Sequence, residues 1–392
     1  MLKCIKIGIL FAIANVVAAQ EATLTVGKNH VLKSKILNED RAYSVYLPAG
    51  CNKEGANAPC PVVYLLDGDS HFQYTSGLLT QMSRAGQIPE TIMVAIPNTD
   101  RTRDLTPSHS VKWIDGETRQ ILSSSGGADS FLDFIENELI PEIEARYEPM
   151  RYRILIGHSF GGLSALHSFI TRPNLFQAHI AIDPSLWWNG LETLSHAEKY
   201  LSSTNNIQNK VFITIAEHKP KGERNNSIME TASERFSYAL KASGAVHLKS
   251  GLQQFPGEDH GSVPILSQYY GLKFIFDGYK NIPPATARKG VDAIEDYYHD
   301  YLDQYGIHLT PPQVAIARLA IEADTLGQYE KALEYYKYNI SKHPDSASAH
   351  FSLAGAYQKV SKKSLAVKHY NQARALAPAY AAYVKDALEK LE

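Results

Sequence analysis

The chain has 392 residues, of which 44% are hydrophobic, and a formal net charge of −2. This length accommodates one large domain and one small one, and the composition is that of an ordinary globular protein. The near-neutral charge, without a basic stripe, argues against a nucleic-acid partner. No apolar run beyond the N-terminal segment is long enough to span a membrane.

The first residues predict a signal peptide, residues 1–19. Lys3 and Lys6 supply the positive start, residues 7–17 form the apolar stretch, and Val17-Ala18-Ala19 offers small residues for cleavage. A buried or membrane-anchoring helix is the alternative, but the run is too short to span. We therefore expect a periplasmic or secreted protein with no membrane attachment after cleavage.

Export determines how the cysteines are interpreted. Cys51 and Cys60 flank a short polar loop, and two nearby cysteines usually pair in an oxidising compartment. Such a disulfide would contribute about 2–3 kcal/mol, whereas two unpaired surface thiols are the alternative. No His or further Cys lies at ligand spacing nearby, so we expect no metal site there.

Apolar runs predict the sheet of the large domain. Residues 41–48 alternate like an edge strand. Uninterrupted apolar runs suit strands that are covered on both faces; they occupy residues 61–66, 91–96, 178–182 and 211–216. The spacing between them, and over residues 130–147, is helical. The sequence thus predicts an α/β fold with a mainly parallel sheet and helices on both faces, which binds ligands at the carboxyl ends of its strands.

The composition changes past residue 280, where strand-like runs stop. An offset of 34 residues then aligns Leu319 with Leu353 and Tyr336 with Tyr370, which is typical of tetratricopeptide repeats. One departure is Ser361, which stands where a turn glycine such as Gly327 is expected.

This change of pattern predicts the domain boundaries. We expect the large domain over residues 20–283, a linker helix over 284–310, and two repeats with a capping helix over 311–392. Independent stability usually requires three repeats, so the helical segment is expected to pack on the large domain or on another chain. A protein partner that binds through the repeats is therefore one prediction.

The motif Gly157-His158-Ser159-Phe160-Gly161 carries the strongest functional signal. An apolar strand-like run precedes it and a helical pattern follows, which is the context of a nucleophile elbow. The glycines leave room for the strand to fold back into the helix. Ser159 is therefore the candidate nucleophile. A chance match to the five-residue pattern is the alternative.

A serine hydroxyl needs a base and a group that orients the base. His260 lies in a glycine-containing loop after the strand-like residues 247–255, and it is the candidate base. Glu217 directly follows the strand that ends at residue 216 and is the candidate acid. The alternatives for the acid are Asp183, which also ends a strand, Glu223 and Glu230; a Ser-His pair without a strong acid stays open.

The oxyanion site and the pocket involve strand ends and turns. The N–H of Phe160 and the N–H of Gly68 or Asp69 are the candidate oxyanion donors, although a plain turn would also explain the glycine. Trp187, Trp188 and Arg103 are the candidate pocket residues. Core packing of the tryptophans and a local salt bridge at the arginine are the alternatives.

These motifs together resemble an esterase family of α/β-hydrolases. That family includes esterase D, feruloyl esterases, the trilactone esterases that open iron-loaded siderophores, and mycolyltransferases. The motifs that carry the resemblance, within about residues 30–280, are Tyr64-Leu65-Leu66-Asp67-Gly68, residues 98–103, Gly157-His158-Ser159-Phe160-Gly161-Gly162, Pro184-Ser185-Leu186-Trp187-Trp188 and Asp259-His260. The resemblance implies Ser159 as nucleophile and His260 as base. It leaves the acid open, since some similar siderophore esterases work without a good acid.

The sequence therefore predicts an exported serine esterase that acts on a small-molecule ester through an acyl-enzyme and requires no cofactor. An acyltransferase of the same fold is one alternative. A catalytically inert binding module that uses the helical repeats is the second. Residues 106–127 form either a lid over the site or an ordinary long loop.

Overall fold

The computed structural model describes residues 24–51, 59–217, 227–301 and 309–391. Its centre is an eight-stranded sheet in the order β1-β2-β4-β3-β5-β6-β7-β8, in which β3 to β8 are parallel. The strands are β1 (Lys28–Ser34), β2 (Glu39–Tyr46), β3 (Val62–Leu66), β4 (Ile92–Ile96), β5 (Arg153–His158), β6 (Ala178–Ile182), β7 (Asn209–Ala216) and β8 (Leu248–Phe255). The expected signal peptide, residues 1–19, lies outside the described residues.

One strand prediction was wrong about position. β2 was expected at the edge, but it lies between β1 and β4 and pairs antiparallel with both. The residues of β2 alternate in polarity because successive side chains point to opposite faces of the sheet. β1 forms the edge instead. The continuous apolar strands are confirmed as central, because every residue of β3, β4 and β6 is buried.

Helices cover both faces of this sheet, as predicted. They are α1 (Gly68–Arg84), α2 (Arg101–Leu105), α3 (Ala128–Phe134), α4 (Ile140–Tyr147), α5 (Phe160–Thr171), α6 (Trp188–Ser203), α7 (Ile228–Ala242) and α8 (Val263–Ile275). Leu79 of α1 and Leu272 of α8 belong to the core on one face. Leu163 of α5 and Phe236 of α7 belong to the core on the opposite face.

The C-terminal region is helical and packs on the sheet domain. Its helices are α9 (Pro284–Lys289), α10 (Val291–Asp300), α11 (Gln313–Thr325), α12 (Tyr329–Lys342), α13 (Ala347–Lys359), α14 (Lys363–Leu376) and α15 (Ala381–Glu389). Ile316 of α11 lies in the same core cluster as Leu272 of α8. The Tyr279 hydroxyl also donates to the carbonyl of Thr310 at 3.0 Å. The helical region and the sheet domain therefore share one core.

The expected linker helix is two helices. α9 ends and α10 begins at Gly290, whose φ of 102° breaks a right-handed helix. Beyond the linker, α11 and α13 begin at Gln313 and Ala347, and α12 and α14 begin at Tyr329 and Lys363, so each pair is offset by the predicted 34 residues. The tetratricopeptide assignment itself and the domain boundaries remain predictions.

A disulfide closes the segment between β2 and β3. Cys51 and Cys60 are bonded, with their Cα atoms 5.7 Å apart, which confirms the predicted pairing. Within the described ranges, no helix combines the length and apolar character that crossing a membrane requires.

Candidate active site

A strained turn carries Ser159 between β5 and α5. Ser159 has φ 61° and ψ −116°, a conformation that an L-residue adopts only when its surroundings impose it. A Cβ at Gly157 would lie 2.2 Å from the carbonyl oxygen of Gly161. The turn can close only because residue 157 has no side chain, which is the physical basis of the predicted elbow.

The turn is tied to the end of β6. The N–H of Ser159 donates to the carbonyl of Ile182 at 2.9 Å, and the N–H of Ser185 donates to the carbonyl of Ser159 at 3.1 Å. The two hydroxyl oxygens, Ser159 Oγ and Ser185 Oγ, are 3.2 Å apart. The position of Ser159 is therefore set by two strands rather than by its own turn alone.

The imidazole of His260 lies beside this turn and is held by Asp183. Its Nδ1–H donates to Oδ2 of Asp183 at 2.6 Å, and its ring centre is 4.4 Å from that of His158, the residue before Ser159. Asp183 is 1% exposed, and its Oδ1 accepts from the N–H of Ala216 at 3.2 Å. A carboxylate fixed in this way orients the ring and selects the tautomer with a proton on Nδ1.

Glu217, the predicted acid, makes a different contact. Its carboxylate accepts from the N–H of Gly257 at 2.8 Å, and its own N–H donates to the carbonyl of Glu258 at 2.7 Å. Glu217 thus supports the loop that carries His260, while Asp183 occupies Nδ1. The reason is topological: β6 lies next to β5, so the end of β6 is nearer to the elbow than the end of β7.

Two more carboxylates, Glu230 and Glu223, were candidates for the acid from the sequence. The carboxylate of Glu230 accepts from the side-chain amide of Gln254 at 3.0 Å, which is a contact between α7 and β8. Glu223 lies outside the described residues. Among the carboxylates considered from the sequence, Asp183 is therefore the one that the described structure bonds to His260 Nδ1.

A row of three histidines lies at this edge of the sheet. The ring centre of His158 is 6.0 Å from that of His71 and 4.4 Å from that of His260. Burial, followed by the neighbouring His260 and His71, lowers the pKa of His158 to about 4. His158 is therefore neutral near pH 7 and adds no positive charge at this edge of the sheet.

Two helix N-termini meet at the same edge. α1 begins at Gly68 and α5 begins at Phe160, and β3 and β5, which precede them, are paired neighbours. A Cβ at Gly68 would lie 2.6 Å from the backbone nitrogen of Ile96, so only glycine permits this approach. The first N–H groups of a helix have no intrahelical acceptor, and two such ends favour a negative charge between them.

Arg101 connects three of the loops at this edge. Its guanidinium donates to Asp67 through Nε at 2.6 Å and through a terminal nitrogen at 3.0 Å, and to the carbonyl of His158 at 3.2 Å. Its carbon Cζ is 5.4 Å from the ring centre of Phe160. Arg101 therefore holds the loop after β3 against the elbow after β5.

Asp67 is the buried partner of this arginine, with φ 54° just before α1. Burial would raise its pKa, but the pairing with Arg101 and the hydrogen bond from Asn98 outweigh burial and lower the pKa. The carboxylate is thus stabilised in its charged form at the start of α1. The spacing from Asp67 to Arg101 carries no local pattern, which is why the sequence did not indicate the pair.

Both predicted pocket tryptophans lie near Phe160, but Trp187 keeps a little exposed surface and Trp188 has none. Trp187 is 7% exposed and its ring centre lies 6.0 Å from that of Phe160. Trp188 is fully buried, and its indole N–H donates to the carbonyl of Ser108 at 3.2 Å. Trp188 therefore packs in the core, since a side chain without exposed surface cannot line an open pocket.

Arg103 forms local salt bridges, which were one of its two predicted roles. Its guanidinium donates to Glu39 at 2.6 Å and to Asp104 at 2.7 Å. The pair with Glu39 links β2 to α2, the pair with Asp104 lies within α2, and both compensate the charge of Arg103. The tryptophan that joins the site is instead Trp113, whose ring centre is 5.1 Å from Trp187 and 6.1 Å from Phe160.

The order of the strands, the strained serine turn after β5 and the histidine loop after β8 are those of an α/β-hydrolase. Residues 34–258 match the model of the family described as "Putative esterase". The chain belongs to this family.

Several curated relatives of this chain carry the names of siderophore esterases. The siderophore triacetylfusarinine C esterase of Aspergillus fumigatus is 27% identical over 58% of this chain and 85% of its own length. The ferri-bacillibactin esterase BesA of Bacillus subtilis is 30% identical over 58% of this chain and 83% of its own length. These names support hydrolysis of an ester by the family to which the chain belongs.

Solved structures agree on the fold. The IroE-like serine hydrolase of Shewanella oneidensis is 30% identical, with a TM-score of 0.68 over 80% of this chain and 98% of its own. An uncharacterised protein of Capnocytophaga ochracea covers 93% of this chain and 99% of its own with a TM-score of 0.55. At 16% identity the second likeness concerns the fold alone, and its coverage extends into the C-terminal helices.

Proposed function

We propose that the chain is an exported serine esterase in which Ser159, His260 and Asp183 form the catalytic triad. The observation that carries this proposal is the 2.6 Å hydrogen bond from His260 to a buried carboxylate, with His260 packed against the residue before Ser159. Asp183 replaces Glu217 as the orienting acid in this proposal.

The reaction proceeds through an acyl-enzyme. Ser159 Oγ attacks the ester carbonyl while its proton passes to Nε2 of His260, and the N–H groups of Phe160 and of Gly68 or Asp69 stabilise the oxyanion. His260 then donates the proton to the leaving alcohol. Water, deprotonated by His260, then attacks the acyl carbonyl; the bond from that carbon to Ser159 Oγ breaks, the carboxylic acid leaves, and His260 returns the proton to Ser159 Oγ. Ser159, His260 and water account for every proton transfer, so the scheme requires no cofactor.

The proposed substrates are ester-containing siderophores. The support is that curated relatives carry the names of esterases for triacetylfusarinine C and for ferri-bacillibactin. The proposed location is periplasmic or secreted, which the disulfide between Cys51 and Cys60 supports, since disulfides persist in oxidising compartments.

The experiment compares the wild type with Ser159→Ala on phenyl acetate, ferri-bacillibactin and triacetylfusarinine C. We expect Ser159→Ala to lose nearly all turnover and to resist labelling by a fluorophosphonate probe, which reacts with activated serines. If the wild type hydrolyses phenyl acetate but neither siderophore, the proposed esterase activity is retained and the proposed siderophore substrates are rejected. Unchanged turnover by Ser159→Ala would reject the mechanism.

A further inference from the structure

The segment between α2 and α3, residues 106–127, contains a small hairpin. The N–H of Trp113 donates to the carbonyl of Glu117 at 2.8 Å, and the N–H of Arg119 donates to the carbonyl of Val111 at 2.8 Å. An ion pair between Arg119 and Asp115, at 2.6 Å, adds to these backbone bonds. Residues 111–119 are therefore an ordered element, here called the 111–119 hairpin, rather than an irregular loop.

The base of the 111–119 hairpin is fastened to the body of the domain. The Ser125 hydroxyl accepts from the N–H of Ser110 at 3.0 Å and donates to its carbonyl at 2.8 Å. The indole of Trp188, fully buried at the start of α6, donates to the carbonyl of Ser108. These bonds set where the hairpin stands relative to the elbow.

The hairpin brings Trp113 to the aromatic residues beside Ser159. The ring planes of Trp113 and Phe160 meet at 75°, and those of Trp113 and Trp187 meet at 63°, so neither neighbour stacks in parallel on the indole. Trp113 nevertheless keeps 36% of its surface exposed, while Phe160 and Trp187 are buried. A large apolar side chain that is partly exposed and packs on Phe160, the residue after Ser159, offers a surface that an aromatic ligand would cover.

We propose that Trp113 is a specificity-determining residue, which contacts an aromatic ring of the substrate next to the scissile ester. This inference rests on the proposed function and predicts that, among its ester substrates, those with a flat aromatic group within reach of the indole are preferred. The ring can come from the acyl side or from the alcohol side. Both present the same chemistry to the indole, and the test separates them.

The test measures kcat/KM by pH-stat titration for phenyl acetate, ethyl benzoate and ethyl butyrate, which place the ring on the alcohol side, on the acyl side, and on neither. In Trp113→Ala we expect the ratio of an aromatic ester to ethyl butyrate to fall about tenfold, mainly through a higher KM. Trp113→Phe keeps a ring and should recover most of the ratio. Ile121→Ala, at a 77% exposed apolar residue of the same segment, is the matched control and should keep the wild-type ratio.

The outcomes separate this inference from the function on which it rests. If the kcat/KM ratio falls for phenyl acetate alone, the ring lies on the alcohol side; if it falls for ethyl benzoate alone, the ring lies on the acyl side. Either result supports the proposal. If Trp113→Ala changes kcat/KM equally for all three esters, or for none of them, while Ser159→Ala is inactive, the specificity role is rejected and the proposed esterase activity is retained. If Ser159→Ala stays active, both are rejected.

Discussion

The Nδ1–H of His260 donates to Oδ2 of Asp183 over 2.6 Å, although 77 residues separate the two in the chain. Asp183 directly follows β6, and its φ of 41° turns the chain sharply at the end of that strand. The turn keeps the carboxylate at the carboxyl edge of the sheet, where the loop after β8 delivers the imidazole. The carboxylate that bonds to His260 therefore comes from the strand next to the elbow.

The first prediction distinguishes the two carboxylates near the histidine loop. Asp183→Asn should lower kcat by about 10²–10⁴-fold, since an amide cannot stabilise the imidazolium and favours the wrong tautomer. Glu217→Gln is the matched control, because a glutamine oxygen can still accept from the N–H of Gly257. It should retain activity within about threefold. A large loss in Glu217→Gln with little loss in Asp183→Asn would restore Glu217 as the orienting acid.

The second prediction concerns the pair of Arg101 and Asp67. Arg101→Met leaves a buried carboxylate without its cation, which should lower the free energy of unfolding by about 1–3 kcal/mol, given that the arginine is partly exposed. Asp67→Asn combined with Arg101→Met should recover part of this loss in urea unfolding, because the stranded charge is gone. We expect kcat to fall in Arg101→Met and to remain low in the double variant, because in both the loop after β3 is no longer held to the elbow. Additive losses of stability in the double variant would contradict the coupling.

The third prediction uses two glycines of one helix. A Cβ at Gly68 would meet the backbone of Ile96 at 2.6 Å, while a Cβ at Gly77 has no neighbour within 4 Å. Gly68→Ala should cost about 1–3 kcal/mol of stability and lower kcat about 10²-fold by displacing an oxyanion donor. Gly77→Ala should gain up to about 1 kcal/mol without a change in kcat. Equal effects of the two substitutions on kcat would show that the start of α1 does not take part.

The fourth prediction concerns equivalent turns in the C-terminal helices. Gly327 and Ser361 follow α11 and α13 with φ of 70° and 56°. The residue after each of them donates from its N–H to a carbonyl five residues earlier, at 2.9 Å in both turns. Ser361→Gly should raise the free energy of unfolding by about 0.5–1 kcal/mol, because serine is strained in the left-handed region.

Gly327→Ala is the reciprocal change and should lower the free energy of unfolding by about 1 kcal/mol. Thermal unfolding of both variants, with activity measured in parallel, tests the pair. Destabilisation by Ser361→Gly would mean that the serine hydroxyl contributes more at this turn than relief of backbone strain.

Much of the fold could be predicted from local sequence. Continuous apolar runs identified β3, β4, β6 and β7, because a strand covered on both faces has no polar side to show. The edge position assigned to β2 was wrong, since a strand's alternation reports which face is buried and says nothing about its neighbours in the sheet. The single linker helix was wrong because Gly290 interrupts it.

The sequence by itself determined the elbow at Ser159, the disulfide and the 34-residue offset of the C-terminal helices, all of which depend on residues close together in the chain. Only the tertiary structure decided that Asp183 bonds to His260, that Arg101 binds Asp67 and that Trp113 reaches Phe160. Several carboxylates follow strands in this chain, and each satisfies the same local pattern. The order of the strands in the sheet decides which of them lies beside the histidine, and that order comes from packing across distant segments.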